Sequence, residues 1–443
     1  MPKYVIIGNS AGGIGAVEAI RDLDKESSLA VISDEPYPAY SRPLISEYLS
    51  GEKVLDTMLY RPSDFYRKNN VETIFGKKVV GIDTEKSVVT LSDGQKVSYE
   101  KLLVATGGVP FVPRTEGSEN EGVYTFTTLG DAERISKKLE TSHSAVVIGG
   151  GLIGISVTEA LTKRGVDVTI VELKDRILNV ILDEEASRIA EQAVAKAGVK
   201  IVTNRTVTKI VGKANGESGV DGVVLDNGDE IPCDLVIFAI GVIPRIDAVA
   251  DSSIKRNRGI VVDSSMATSA PNVYACGDVA EAYDYVLDIN RLTPIWPNAY
   301  IGGRTAGYNM AGKNVQYPGG TGMNSMKYFG LAIVSAGLMN PEDRPGYEVI
   351  SDIRPDQGIY KKVILRDDVI VGFTFVNDIE KMGILCGLMR DRVKVGNFKN
   401  SLIADEFSFI SLPRELRKER LGIKLDPSEY VEEEEQVEEL AVE

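Results

Sequence analysis

The stretch AVVIGGGLIG at Ala145–Gly154 repeats the pattern of the stretch YVIIGNSAGG at Tyr4–Gly13. Each is a short run rich in β-branched residues that breaks into glycines and continues as a helix-like segment. A buried parallel strand, a glycine turn and a helix are the opening of a dinucleotide-binding βαβ unit. The glycines keep the turn tight and let the backbone approach a pyrophosphate, which the helix N-terminus binds through oriented N–H groups. The repeat predicts two nucleotide-binding units.

Each predicted unit also has an acid at the end of its second strand. Val168–Val171 is followed by Glu172, and Leu29–Ser33 is followed by Asp34 and Glu35. A carboxylate at this point accepts hydrogen bonds from the hydroxyls of an adenosine ribose. In the first unit we expect Glu35 in this role, with Asp34 as the alternative if the strand ends one residue earlier. The competing interpretation is two ordinary strand–helix turns with surface acids.

Composition limits the remaining classes of function. The 443 residues, 43% hydrophobic and 26% charged, are typical of a globular protein of two or three domains. A net charge of −15 argues against binding to nucleic acid or to an anionic membrane. The apolar run Leu235–Ile243 is too short to span a membrane, and no signal-peptide pattern is present. Three cysteines without a disulfide framework predict a cytoplasmic protein. The single histidine, His143, excludes zinc sites built on paired histidines, and we expect no metal.

Three further motifs follow in order along the chain. They are LLVATGG at Leu102–Gly108, FAIGVIPR at Phe238–Arg245 and NVYACGDVA at Asn272–Ala280. With the two glycine loops they resemble the FAD-dependent pyridine nucleotide-disulfide oxidoreductases, which have the glutathione-reductase-like fold. Within that superfamily the chain is most similar to the rubredoxin, ferredoxin and nitrite reductase flavoproteins. The resemblance covers about residues 3 to 420. It implies an α/β fold with two Rossmann-like domains, one for FAD and one for NAD, and a C-terminal α+β interface domain.

The resemblance also implies where the domains begin and end. The FAD-binding domain is expected in two parts, residues 1–115 and 244–318, on either side of an NAD-binding domain at 116–243. The C-terminal interface or dimerisation domain is expected at 319–425. The acidic tail at 426–443 is predicted to be disordered, because its glutamates repel one another and bury little apolar surface.

By this resemblance FAD lies on the first unit. Arg42, in the segment YSRPLIS, is expected to place a positive charge near the isoalloxazine ring that favours reduced flavin; the alternative is a surface arginine. Trp296 precedes a helix expected to point at the pyrimidine end of the flavin; the alternative is a core tryptophan. The FAD residues so implied are Gly8, Ser10, Gly13, Asp34, Glu35, Arg42, Pro43, Val80, Thr106, Gly107, Gly277, Asp278, Trp296 and Ala299. Ser10 departs from the motif, since it replaces the central glycine of the loop.

NAD is expected on the second unit, at Gly149, Gly151, Gly154, Glu172 and Gly241. Glu172 suits a free ribose 2′-hydroxyl and repels a 2′-phosphate, so NADH is expected to be preferred over NADPH. Many relatives carry a glutamate near the nicotinamide two residues after the last loop glycine, where this chain has Ser156. Glu159 lies one helical turn further, but the matching Glu18 in the FAD unit favours a structural role. The residue beside the nicotinamide therefore stays unassigned.

The distribution of cysteine indicates the subclass. Disulfide reductases of this fold carry two cysteines near the flavin and NADH oxidase relatives carry one, whereas Tyr40–Gly51 contains none. Cys233, Cys276 and Cys386 are expected to be small buried apolar residues. We therefore expect an FAD-dependent NADH oxidoreductase that passes electrons to a separate acceptor protein or iron–sulfur subunit, with no catalytic side chain assigned beyond flavin tuning by Arg42.

Two other functions and several modes of association stay open. The rivals are an NADH oxidase that reduces oxygen directly and an NADH-responsive flavoprotein with a binding role. The chain is expected to act either as a homodimer or as a subunit of a larger complex. The basic segment at 413–424 is either a docking surface for an acidic acceptor, or a solvated helix, or a segment neutralised by the protein's own acidic tail.

Overall fold

The computed structural model of the chain describes residues 2–213, 218–341 and 345–421. They form two compact units, Met1–Met339 and Asn340–Glu443. The predicted acidic tail at 426–443 lies outside the described residues, as does the end of the basic segment from residue 422. In the described part of the chain, no helix has both the length and the apolar character needed to cross a membrane.

The first glycine loop follows the central strand of a five-stranded parallel sheet. That strand, Tyr4–Ile7, is completely buried, which explains its uninterrupted apolar sequence. In spatial order the strands are Val273–Ala275, Lys101–Val104, Tyr4–Ile7, Leu29–Ser33 and Val71–Phe75. The helix Ala11–Leu23 leaves the loop and packs against the helix Trp296–Met310. A side chain at Gly303 would overlap the Gly12 carbonyl, so glycine at this crossing permits the close approach.

The second glycine loop follows the central strand of a second parallel sheet of the same design. Its strands are, in spatial order, Lys200–Val202, Asp167–Val171, Ser144–Ile148, Leu235–Phe238 and Val123–Thr125. The helices Leu129–Lys138, Leu152–Lys163 and Glu184–Lys196 belong to this part of the chain. Thr128 caps the first of these helices by accepting a hydrogen bond from the Asp131 N–H at 3.1 Å. The two parallel sheets confirm the predicted α/β fold with two Rossmann-like halves.

Smaller sheets, antiparallel except where Ile260–Val261 pairs in parallel with Ala280–Asp284, and short helices complete the first unit. The three-stranded sheets are Val79–Asp83 with Val88–Leu91 and Lys96–Ser98, and Val207–Gly212 with Val220–Leu225 and Glu230–Pro232. A third contains Ile260–Val261, Ala280–Asp284 and Ile289–Leu292. Gly108–Pro110 pairs with Val242–Pro244, and Met323–Tyr328 pairs with Leu331–Gly337. The short helices are Ile45–Leu49, Leu55–Met58 and Phe65–Lys68.

The second unit contains an antiparallel arrangement of Tyr347–Arg354, Ile359–Arg366 and Val369–Val376, with the helices Met382–Arg390 and Arg414–Arg420. Phe373 and Phe375 are buried there, edge to face, with ring centroids 6.2 Å apart. Lys361 lies opposite Phe375 on the neighbouring strand and is buried. Its ammonium is ion-paired with Asp378 at 2.5 Å and with Asp405 at 2.6 Å. The domain boundary at residue 319 stays a prediction.

Two candidate nucleotide-binding sites

The first glycine loop is built so that backbone packs directly on backbone. Gly8 has φ +119°, and a side chain there would overlap the carbonyl group of Ala105 on the neighbouring strand. A side chain at Gly13 would overlap the Gly8 carbonyl. Ser10 is the N-cap residue of the following helix, and its carbonyl accepts the first helical hydrogen bond from Ile14 at 2.9 Å. The loop therefore accommodates serine at the central position while the first N–H groups of the helix stay available to an anion.

After the second strand of the first unit, Glu35 belongs to a compact group of polar residues. The Glu35 carboxylate accepts a hydrogen bond from the Tyr40 hydroxyl at 2.6 Å and is ion-paired with Arg42. Arg42 also donates to the carbonyl oxygen of Thr127 at 2.8 Å. Glu35 neutralises the Arg42 guanidinium, and the placement of Arg42 near the isoalloxazine ring stays a prediction. Tyr40 and Thr127 were not assigned to this site from the sequence, since neither contact leaves a periodic pattern.

Asp34, the alternative ribose acid, points to a different partner. The strand ends at Ser33, and the Asp34 carboxylate is ion-paired with Arg245 of the second crossover motif. Arg245 is fixed in turn by the first crossover motif, since its N–H donates to the Gly107 carbonyl at 2.9 Å and its carbonyl accepts from Thr106 at 2.8 Å. Asp34 therefore joins the first unit to the crossover, and the role of Glu35 as the ribose acid stays a prediction.

Asp278 lies in the short turn Gly277–Val279 and is half-buried. Among the residues the structure describes, none donates a hydrogen bond to its carboxylate. Burial raises the pKa of Asp278, and the positive charge of Arg42 opposes that rise. A half-buried carboxylate without a protein donor fits a ligand that brings its own hydroxyl groups, as the ribityl chain of FAD does.

The helix Trp296–Met310 begins beside this turn. Ala299 lies against Gly277, where an added methyl group would be 3.4 Å from the alanine Cβ. Trp296 is partly buried and packs edge to face on Tyr60, with ring centroids 5.1 Å apart. The Arg61 guanidinium covers the Tyr60 ring at 4.2 Å, so Trp296 stands in an aromatic cluster that the sequence alone did not indicate.

Two predicted FAD residues make few contacts that define a role. Pro43 lies within the short turn Arg42–Leu44, and Val80 is 49% exposed on its strand. Exposure of a valine to this degree is compatible with a backbone contact to an adenine. Their assignment stays a prediction.

The second glycine loop repeats the packing of the first. Gly149 has φ +104°, and an added methyl group would lie 2.6 Å from the Ala239 carbonyl oxygen. A side chain at Gly154 would overlap the Gly149 carbonyl. Gly151, in contrast, has open space around the position of a side chain, and so does Gly241. Gly149 and Gly154 are therefore required by the fold itself, whereas Gly151 is the position that keeps a ligand approach clear.

Glu172 is buried, with 8% of its surface exposed, and fixes the loop. One carboxylate oxygen accepts a hydrogen bond from the Gly150 N–H at 2.6 Å, and the other accepts from the Lys174 N–H at 2.8 Å. A carboxylate has about four acceptor positions, so capacity for a ribose hydroxyl remains. Arg176 is ion-paired with Asp175 at 2.8 Å. The charge of Arg176 is therefore neutralised by Asp175, which weakens its attraction for a 2′-phosphate.

Both sites fit the nucleotides that the sequence implies. Each has a tight glycine turn, a helix N-terminus and an acid at the end of the neighbouring strand. The first site adds an unsatisfied carboxylate at Asp278. In the described ranges no group of histidine, cysteine and acidic residues is arranged to hold a metal ion.

The three cysteines are free thiols. Cys233 and Cys276 are buried, and burial raises the pKa of each to about 12. Cys386 is partly buried, and burial raises its pKa as well. At neutral pH all three are protonated, which makes them poor nucleophiles.

The chain matches two protein families. Residues 2–311 match the pyridine nucleotide-disulphide oxidoreductase family, and residues 323–393 match the rubredoxin NAD+ reductase C-terminal domain. The chain is 31% identical over 406 residues to the NADH-dependent phenylglyoxylate dehydrogenase subunit epsilon of Aromatoleum evansii, covering 91% of this chain and 95% of that protein.

A second relative is covered by the chain only in part, whereas a solved structure is covered almost completely. The assimilatory nitrate reductase electron transfer subunit of Bacillus subtilis is 30% identical over 417 residues, which are 93% of this chain and 52% of that protein. The chain thus spans about half the length of that relative. Among solved structures, a covalent putidaredoxin reductase–putidaredoxin complex matches with a TM-score of 0.81 and 26% identity, covering 89% of this chain and 94% of the reductase chain.

Proposed function

Because the chain belongs to the pyridine nucleotide-disulphide oxidoreductase family and is an FAD-dependent NAD(P)H oxidoreductase, we propose that it passes electrons from NADH to a separate acceptor protein. The acceptor is a one-electron carrier or an iron–sulfur subunit of a larger assembly. A reducing cytoplasm is the proposed location, since all three cysteines are free thiols.

One observation carries this proposal. The only cysteine close to the first glycine loop is Cys276, whose sulfur lies 2.8 Å from where a Gly12 side chain would begin. It is fully buried, protonated at neutral pH and has no disulfide partner. The described residues offer no thiol relay from a flavin, so electrons must leave the site for an acceptor outside it.

The proposed roles of the chain's own residues are binding and orientation. The first loop, with Gly8, Ser10 and Gly13, holds the FAD pyrophosphate, while Glu35 accepts from the ribose and Asp278 from the ribityl chain. When bound, FAD supplies the ring that accepts a hydride and releases electrons singly. Hydride transfer needs two rings held at close distance rather than an acid or a base, which agrees with a site containing no histidine.

The second loop, with Gly149, Gly151 and Gly154, is proposed to hold the NADH pyrophosphate. Glu172 fixes the loop through Gly150 and accepts from the adenosine ribose. Gly241 lies beyond the carboxyl ends of the central strands, at the same edge of the sheet as the second loop, and leaves space there for the nicotinamide half of the nucleotide.

Docking through the basic segment at 413–424 is weakened by its contacts. Arg420 is ion-paired with Asp391 at 2.8 Å. The Arg417 Nε is buried. Because an ion pair within its own unit neutralises Arg420, the helix offers a smaller positive surface to an acidic partner, and we propose that the acceptor approaches another face.

The test is anaerobic reduction of the FAD-loaded protein by NADH, followed by mixing with a rubredoxin, with a [2Fe–2S] ferredoxin or with oxygenated buffer. We expect fast flavin reduction, transfer to at least one iron protein and slow transfer to oxygen. Fast oxygen reduction without any partner would identify an NADH oxidase instead. Slow flavin reduction with a long-lived charge-transfer band would identify an NADH-responsive binding protein.

A further inference from the structure

The segment Tyr37–Arg42 follows the second strand of the first nucleotide-binding unit, and we call it the coupling segment. One side of it is tied to the first glycine loop. The Asn9 side chain donates a hydrogen bond to the Tyr37 carbonyl at 3.2 Å. Asn9 also accepts from the Tyr66 hydroxyl at 2.7 Å, and that hydroxyl accepts from the Ala39 N–H at 2.9 Å. The coupling segment is therefore fixed relative to the loop that is proposed to hold the FAD pyrophosphate.

Tyr40 connects the coupling segment to both nucleotide-binding units. Its side chain is buried, and its hydroxyl donates to the Glu35 carboxylate at 2.6 Å. The same hydroxyl accepts from the Leu129 N–H at 2.9 Å, a donor of the first helical turn that has no partner within the helix. The helix Leu129–Lys138 follows the strand Val123–Thr125 of the second parallel sheet. One hydroxyl thus joins the acid proposed for the FAD ribose to a helix of the second unit.

Two further side chains of the coupling segment bind the start of that helix. Arg42, which is ion-paired with Glu35, donates to the Thr127 carbonyl at 2.8 Å. The Tyr37 hydroxyl donates to the Glu133 carboxylate at 2.8 Å. The three contacts join residues that are 85 to 96 positions apart in sequence. Together they fix the stretch from residue 127 to residue 133 of the second unit on the first unit.

The chain just beyond the coupling segment makes a second connection. The short helix Ile45–Leu49 packs against the helix Leu129–Lys138 and against the helix Leu152–Lys163, which follows the second glycine loop. Arg164, at the end of that second helix, donates to the Leu49 carbonyl at 3.0 Å. The same stretch of the first unit therefore contacts the helix that begins at the proposed NADH pyrophosphate site.

The placement of the two units matters for the proposed reaction. Hydride transfer requires the nicotinamide and flavin rings to lie about 3–3.5 Å apart. FAD and NADH are proposed to bind on two different parallel sheets, so the distance between their rings depends on how the two sheets are placed. Domains of one chain commonly move relative to each other unless their interface is large and apolar. Hydrogen bonds that join the units can therefore control the rate of transfer without touching either ring.

We propose that Tyr37 and Tyr40 are positioning residues, which hold the helix Leu129–Lys138, and with it the NADH site, where hydride transfer to FAD requires it. The proposal rests on the proposed function. NADH is proposed to bind through the second glycine loop and Glu172, which remain intact when either tyrosine hydroxyl is removed. Loss of a hydroxyl should therefore slow hydride transfer and leave the affinity for NADH unchanged.

The test compares Tyr37→Phe, Tyr40→Phe and Glu133→Ala with the FAD-loaded wild type by anaerobic stopped-flow reduction with NADH. Tyr40→Phe should lower the limiting rate of flavin reduction about tenfold, and the other two about threefold each, the range of lost hydrogen bonds. The dissociation constant of NADH should stay within about twofold of the wild-type value. The charge-transfer absorbance of reduced enzyme with NAD+ should weaken, because it reports how closely the two rings stack.

Combined variants and controls separate positioning from other effects. Tyr37→Phe with Glu133→Ala should be no slower than either alone, since both remove one bond, whereas Tyr37→Phe with Tyr40→Phe should be slower than either. Tyr308→Phe removes a hydroxyl that is bonded within the first nucleotide-binding unit. Glu140→Ala removes an exposed acid in the turn after the helix Leu129–Lys138. Both controls should be reduced at the wild-type rate.

FAD content and melting temperature distinguish a positioning effect from misfolding. If Tyr40→Phe loses FAD, Tyr37→Phe and Glu133→Ala decide, because their bond does not involve Glu35. Unchanged limiting rates in those two variants would overturn the inference, and so would a loss of NADH affinity as large as the loss of rate. A wild type that dithionite reduces but NADH does not would instead overturn the proposed function, which distinguishes the two failures.

Discussion

The carboxylate of Asp34 is ion-paired with the guanidinium of Arg245, 211 residues further along the chain. The adjacent Glu35 contacts Tyr40 and Arg42 instead. The two neighbouring acids after the second strand therefore bind different partners. Asp34 ties the strand to the crossover between the nucleotide-binding units, whereas Glu35 is held by Tyr40 and Arg42, where we propose that it accepts from the FAD ribose.

This division predicts different outcomes for two conservative substitutions. Glu35→Gln should weaken FAD binding at least tenfold, because it removes the negative charge that holds Arg42 and replaces one of the two acceptor oxygens offered to the ribose by an amide donor. Asp34→Asn should keep the FAD content of the wild type while lowering stability by about 1 kcal/mol or less, the range of an exposed ion pair. FAD release on dilution, measured by fluorescence, compares the two. Equal FAD loss in both variants would contradict the assignment of the ribose acid.

The glycines of the second loop should respond differently to an added methyl group. Gly154→Ala should destabilise the protein by about 1–3 kcal/mol, since its Cβ would overlap the Gly149 carbonyl. Gly151→Ala should fold normally, because nothing lies within 4 Å of its Cβ, yet bind NADH poorly. Thermal unfolding and NADH titration measure the two effects. Normal NADH affinity in Gly151→Ala would show that the pyrophosphate does not approach this loop.

Glu172 predicts a preference for NADH over NADPH of roughly tenfold or more in kcat/KM, since a buried carboxylate repels a 2′-phosphate. Glu172→Gln should reduce this preference while keeping an acceptor for the Gly150 N–H. Glu230→Gln, an exposed acid on a strand of the same region, serves as control. Equal kcat/KM for the two nucleotides in the wild type would refute the role of Glu172.

Activity should not depend on thiols. A variant with Cys233, Cys276 and Cys386 all changed to alanine should retain NADH-to-dye activity within about twofold, because burial keeps each thiol protonated. Alanine is preferred over serine at the two buried positions, where a new hydroxyl would need a partner. Loss of activity at normal FAD content would mean that a thiol takes part.

Asp278 predicts a pH effect on the protein stripped of FAD. Its folded-state pKa is raised above the ordinary 3.8, so the folded state binds this proton more tightly than the unfolded state. The stabilising contribution is present below about pH 3.8 and is lost as pH rises through the folded pKa. Asp278→Asn should therefore stabilise the apoprotein at pH 7 relative to the wild type, and the difference should shrink as pH falls toward 4.

Urea unfolding of both apoproteins at pH 4 and pH 7 measures this difference. The same variant should bind FAD more weakly, because an amide accepts fewer hydrogen bonds from the ribityl chain than a carboxylate does. A pH dependence of stability identical in the two proteins would show that Asp278 ionises normally in the folded state.

The sequence by itself determined the two nucleotide-binding units. A buried strand, a glycine turn and a helix are adjacent in the chain, so their signal is local and periodic. Gly8, Gly149 and Glu172 could be assigned for that reason, and the structure gives each a contact that the pattern requires. The family resemblance likewise followed from motifs that are continuous in the sequence.

Only the tertiary structure decided which partner each charged or polar side chain has. Arg42 is neutralised by Glu35, Asp34 binds Arg245, and Glu159 accepts a hydrogen bond from the Phe329 N–H. Such contacts join residues that are distant in sequence, and no periodicity records them. They exist because the packing of strands and helices brings those side chains within hydrogen-bonding distance, where a half-buried charge or hydroxyl must find a partner.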